Sequence, residues 1–237
     1  MTQTVNIEDV KNKLYLKLKE SGWGDKLKTF IQSSDFEKIL SYLLNEVIQG
    51  RRFTPPLKQV FTAFEKCKYS DLKVVIVGQD PYPYEKVADG MAFSCSNDGK
   101  IQASLRYMNK AIQHTVYNDL PLDYKSDLTP WAEQGILLLN SSLTTEIGKI
   151  GKHYHIWNPF VTFLIDMLNA YNPGLIYVFM GKQAQEWMDQ VSDNNHKLIC
   201  SHPASAAYNN QEMWNCNDVF NKTSKLVKEH YGQEIIW

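Results

Sequence analysis

The chain has 237 residues, enough to bury one substantial core, and nothing in its composition calls for a second domain. Hydrophobic residues at 43% and charged residues at 22% exclude disordered and fibrous classes, and a formal net charge of −1 excludes whole-molecule attraction to nucleic acid, so any such contact must be local. We expect one domain over residues 1–237, with 1–22 as a peripheral N-terminal segment.

In chain order, Phe36, Ile39, Leu40, Leu43, Leu44, Val47 and Ile48 keep helical spacing, and Gly50 stands where a left-handed cap ends such a helix. Leu72 to Val77 is a short β-branched run stopped by Gly78 and reads as a strand buried on both faces. A long loop opening with Asp80 leads to Ser104, the expected N-cap of a helix carrying Leu105, Met108 and Ile112. The run Ile136 to Leu139 ends in Asn140. Asn158 and Pro159 predict the start of a further helix with Phe160, Phe163, Leu164, Met167, Leu168 and Tyr171 as its buried stripe. Runs at Leu175–Met180 and Lys197–Cys200 bring the strands to four. Strands alternating with helices predict an α/β domain with a mainly parallel four-stranded sheet and helices on both faces.

Cys67, Cys95, Cys200 and Cys216 lie far apart without metal-site spacing, so we expect reduced buried thiols, no metal and no cofactor. The apolar runs fall well short of the roughly 20 residues that cross a bilayer, and no apolar leader is present, which predicts a cytoplasmic protein, or a nuclear one in a eukaryotic or viral setting.

Asp80, Asn140 and His202 each follow a predicted strand, where open α/β sheets bind ligands, so they can meet in one cleft. Taken singly each has a plainer use: an Asp-Pro turn, an asparagine ending a strand, a structural histidine. Their contexts point further. Gly78-Gln79-Asp80-Pro81-Tyr82-Pro83, then Gly90 to Ser94, then Gly135 to Asn140, then His202-Pro203 together resemble the family 1 uracil-DNA glycosylases. The likeness runs from about Trp23 to Trp237.

The resemblance implies hydrolytic removal of uracil from single- or double-stranded DNA by a monomer. Asp80 would stabilise the cationic sugar and orient water, and His202 would donate to the departing base. Asn140 would read the uracil edge, Tyr82 would fill the place of a thymine methyl, Phe93 would stack on the flipped base, and Gln79 would lend its backbone amide. Protein inhibitors that mimic DNA are the partners it implies besides DNA.

The chain departs from the pattern in several places. Pro83 replaces a common histidine. The usual leucine wedge is missing from His202 to Tyr208; Ala206 is too small, which leaves Tyr208 as the candidate intercalator or as a plain surface tyrosine. Ser104 and Ser205 are candidate phosphate contacts. Lys149, Lys152, His153 and His155 fall where the family carries histidines near the water site, but with shifted spacing, and read as a solvated basic loop.

Alternatives remain. A Ser201–His202–Asp80 hydrolase lacks the nucleophile elbow, and a zinc deaminase lacks its His-x-Glu and Cys-x-x-Cys signatures. A glycosylase for another modified pyrimidine, or a catalytically silent DNA-binding or processivity factor on the same fold, stays open.

Overall fold

The computed structural model describes residues 6–237. Three helices come first: α1 (Ile7–Lys19), α2 (Trp23–Ile31) and α3 (Ser34–Ile48). There follow β1 (Phe53–Thr54), α4 (Thr62–Lys66), β2 (Val74–Gly78), α5 (Ala103–Thr115), α6 (Thr129–Ala132), β3 (Ile136–Asn140), β4 (Thr145–Glu146) and α7 (Tyr154–Tyr171). The chain ends with β5 (Ile176–Met180), α8 (Lys182–Gln185), β6 (His196–Cys200), α9 (Ala204–Tyr208) and α10 (Val219–Tyr231).

The four apolar runs pair in the order β3-β2-β5-β6, all parallel. Successive side chains of a strand point to opposite faces, and every residue of β2, β3 and β5 is buried, so helices cover both sides of the sheet. Edge strand β6 is more polar and only its last residue, Cys200, is buried. This α/β architecture is the one the alternating pattern predicts. It carries an additional two-stranded antiparallel ribbon, β1 with β4.

Three local expectations need correction. The last turn of α3 turns Val47 and Ile48 to solvent, because Glu46 takes the inward position and pairs with Arg51 at 2.6 Å. Helix α5 starts at Ala103 with Gln102 as its extended cap residue, so Ser104 is a buried first-turn residue and not the cap. Helix α7 begins at Tyr154, with Pro159 inside it. Trp157 draws the upstream turn into the core, where its Nε1–H donates to Thr144 Oγ1 at 2.7 Å; Pro159 itself is exposed, and its missing N–H forfeits one bond near the helix start. Tyr171 is also exposed, at the far end of the same helix.

Of segment 1–22, residues 1–5 lie outside the described residues. In the remainder Leu18 is fully buried, and Lys11 Nζ reaches Glu37 of α3 at 2.6 Å. At the other end Trp237 stacks edge-on against Trp131 and Phe220, each at 5.0 Å. No described helix is long and apolar enough to cross a membrane. All four cysteines are free and buried.

Candidate active site

At the carboxyl ends of the strands lies a cavity of about 200 Å³ lined by Gln79, Asp80, Tyr82, Phe93, Asn140 and His202. Ser104 and Tyr208 stand on its wall as well, with Tyr208 exposed at the end of α9. Three distant strand ends thus deliver one carboxylate, one amide and one imidazole to a single space, as the parallel topology dictates.

The register fixes two of these groups. Gly78 pairs with Asn140, and the ladder continues past the strand ends, with Ser141 N–H donating to Gly78 O at 3.1 Å and Ser142 N–H to Gln79 O at 3.2 Å. The absence of a side chain at Gly78 makes room for the site: a Cβ there would lie 2.9 Å from Asn140 Oδ1 and 3.1 Å from the Phe93 ring and would displace one of them. The Asn140 side chain is buried beneath the cavity, and among the described residues no protein group bonds its amide. Phe93 adopts a left-handed backbone conformation, φ 66°, that a bulky residue holds only under constraint. The constraint is visible: Tyr82 Oη donates to Phe93 O at 3.0 Å, and Ala92 N–H donates to Leu138 O at 3.0 Å. Burial pushes the Tyr82 phenol well above its ordinary pKa, which keeps that donor protonated.

Asp80 is half-buried, and desolvation raises its carboxyl to a pKa of about 6. Working against that rise, Gly151 N–H donates to Asp80 Oδ2 at 2.7 Å, and the Thr145 hydroxyl, which donates to Lys149 O at 2.5 Å, lies close by. Beside it the buried Tyr154 phenol is raised by its own burial and by the Asp80 charge. None of Gly151, Thr145 and Tyr154 has a sequence signature. A backbone N–H belongs to almost every residue, and only the fold shows which one turns inward.

Burial lowers the His202 imidazole to about 4, so the ring is neutral. Ala204 N–H donates to its Nδ1 at 3.2 Å, which leaves the proton on Nε2. The ring lies 5.7 Å from that of Phe93. Gly181, at φ 95°, makes room for it: a Cβ there would sit 2.8 Å from His202 Cβ. Neighbouring Ser201 faces away and accepts from Trp214 Nε1 at 2.9 Å.

Ser205 lies half-buried on α9 and does not line the cavity, and Ala206 is fully buried. The basic loop is corrected in part. Lys152 and His155 are exposed, but His153 is fully buried, its Nδ1 2.9 Å from Thr144 Oγ1. Among the described residues of this loop, Ile150 lines the cavity. Among the described residues no group of three or more His, Cys, Asp or Glu side chains is placed to hold a metal ion.

The chain is similar to the uracil-DNA glycosylase of Acinetobacter baumannii strain SDF, 33% identical with 92% of each chain covered. It is likewise similar to that of Aliivibrio salmonicida, 32% identical, covering 92% of this chain and 96% of the relative. Among solved structures it superposes on a mimivirus uracil-DNA glycosylase with a TM-score of 0.83 at 24% identity, covering 98% and 89% of the two chains. A substituted form of mimivirus UNG in complex with UGI matches with a TM-score of 0.81 at 25% identity, covering 91% and 87%. The family model described as the uracil DNA glycosylase superfamily matches residues 64–228, which span every strand of the main sheet and every residue named at the cavity. By that match, and by its full-length likeness to these relatives, the chain belongs to the uracil DNA glycosylase superfamily.

Proposed function

We propose that this protein hydrolyses the N-glycosidic bond of uracil in DNA, releasing the free base and leaving an abasic site for repair. The observation that carries the reading is the meeting of Asp80, Asn140 and His202 around one cavity of about 200 Å³ beside the Phe93 ring.

The bond breaks through an oxocarbenium-like sugar and a base that leaves with negative charge on its oxygen. Asp80, mostly ionised at neutral pH, is suited to stabilise the sugar and to orient or deprotonate water. His202, neutral with its proton on Nε2, donates to the base oxygen without first protonating it, and one such preset donor is worth about 3–4 kcal/mol of barrier. The Asn140 amide accepts from uracil N3–H and donates to O4, whereas cytosine presents the reverse pattern and leaves the buried amide opposed. A site that reads by hydrogen bonds rejects such a mismatch by about 10⁴-fold. Tyr82 excludes a thymine methyl, Phe93 stacks on the base, and Gln79 contributes its backbone amide.

On the DNA side, Ser104 and Ser205 contact phosphates and Tyr208 wedges into the emptied stack, its exposure beside the cavity supporting that role. The UGI complex of the mimivirus relative supports an inhibitor protein as a partner besides DNA.

The test is incubation with chelator and oligonucleotides bearing a single uracil, thymine, cytosine or modified cytosine, followed by alkaline cleavage of abasic sites. Strand scission at uracil alone is expected, and Asp80→Asn should slow it by about 10²–10⁴-fold with DNA binding retained. Cutting at a modified base would reassign the substrate, and no cutting at any base would make this a DNA-binding protein.

A further inference from the structure

A buried polar chain behind the cavity is not explained by the chemistry above. Trp157 Nε1–H donates to Thr144 Oγ1 at 2.7 Å, so the Thr144 proton is free to go to His153 Nδ1 at 2.9 Å. The His153 ring, fully buried and held neutral by desolvation with a pKa of about 4, then carries its hydrogen on Nε2. That nitrogen has no hydrogen-bond partner, and neither has Glu46 Oε2, which lies 4.0 Å from it. Glu46 is itself buried and kept ionised by Arg51, whose guanidinium meets Oε1 at 2.6 Å. The buried His153 Nε2–H and the buried Glu46 carboxylate thus face one another across 4.0 Å, close enough for electrostatic attraction but beyond a hydrogen bond.

Thr144 and His153 bracket residues 145–152, so their bond closes that loop at its base, and the Glu46 carboxylate of α3 lies 4.0 Å from the closure. The loop is pinned elsewhere by backbone, with Ile147 N–H on Arg52 O at 2.9 Å and Gly148 N–H on Pro83 O at 2.8 Å. On its near side the stretch whose Gly151 N–H meets Asp80 Oδ2 at 2.7 Å is held through Lys149 O, which accepts from the Thr145 hydroxyl, and on its far side it runs directly into His153.

We propose that Glu46 is a positioning residue for excision: through His153 it holds the 145–152 loop so that the Gly151 N–H stays on the Asp80 carboxylate. The inference rests on the reading of Asp80 as the group that acts at the sugar. Charged and titratable neighbours of Asp80 are few. Tyr154 stands beside it, and Lys149 is engaged by Glu146 at 2.7 Å. Around Glu46 and His153 lie Arg51, Glu146, Lys152, His155 and Tyr42.

The experiment is the pH profile of kcat/KM on a single-uracil oligonucleotide for the wild type, Glu46→Gln and a His153→Gln and His153→Ala pair. In Glu46→Gln the amide must oppose a donor on one side, either Arg51 or the His153 N–H, while keeping the side chain's shape. Loosening Gly151 removes a bond that favours the ionised form, so the acid limb, near pH 6 in the wild type, should move up by about one pH unit, with KM for DNA unchanged and a smaller loss at pH 8.5. His153→Gln, which can still present a donor toward Glu46, should shift the limb less than His153→Ala. A limb that stays in place while melting temperature or rate falls equally at every pH makes Glu46 merely structural and overturns the proposal. If the wild type shows no Asp80-dependent excision at all, the reading of the site fails, and this inference with it; an unshifted limb in a wild-type-active series sinks the inference alone.

Discussion

Asp80 is charged at neutral pH against the preference of its surroundings. Its carboxyl titrates near 6 in the fold and near 4 in an unfolded chain, so the folded state binds more protons between those values. The stabilisation from that proton is fully present below pH 4 and lost as pH rises through 6. Asp80→Asn, which cannot ionise, should therefore raise stability at pH 7–8 by on the order of 1–3 kcal/mol relative to wild type, and the gain should vanish near pH 4. Urea melts of the two proteins at both pH values check this, and an unchanged difference across pH would contradict the raised pKa. The site side chains Asp80, Asn140 and His202 were legible because each sits at a strand end inside a dense motif. Gly151, Thr145 and the Ala204 N–H that sets the His202 tautomer were not, since their contributions come from backbone direction or from a hydroxyl several turns away. His153 reads as part of a polar loop because its neighbours are Lys152 and His155; the rings packed against it, Tyr42 and Phe53, come from about a hundred residues upstream.

Among the elements, β2 is the one on which the cavity is built. Its last residue, Gly78, must accept Asn140 and Phe93 against its α-carbon. Gly78→Ala should leave the sheet intact, because alanine fits a strand backbone, yet displace the amide or the ring by several tenths of an ångström. Misplacement of about 1 Å costs about 10²-fold in rate, so a shift of several tenths should cost roughly 10-fold, and the drop should appear in kcat/KM for uracil while the circular dichroism spectrum is retained. The four strands of the main sheet were legible as apolar runs with polar stops. The ribbon of β1 and β4 was not, since two residues a side leave no period to read. The start of α7 shows a different failure. Asn158-Pro159 is a good local start signal, and burial of Trp157 overrides it from outside the local sequence.

At the scale of the whole molecule, the balance of charge sets how DNA is held. With a formal net charge of −1 the protein has no broad positive field, and its proposed phosphate contacts are few. A plot of log kcat/KM on single-stranded substrate against log salt should fall with a slope no steeper than about −3, corresponding to about four phosphates or fewer. A slope near −10 would mean an electrostatic footprint that the composition does not suggest. The backbone ladder that runs on from Gly78–Asn140 into Ser141 and Ser142 carries a consequence for the site's rigidity. It ties the strand that ends in Asn140 to the one that leads into Asp80 at the fixed spacing of paired strands, about 4.8 Å, so backbone bonds rather than rotamers set where both side chains start. A change that loosened those bonds would move the amide and the carboxylate relative to one another together with their strands, and no side-chain adjustment would restore the original placement.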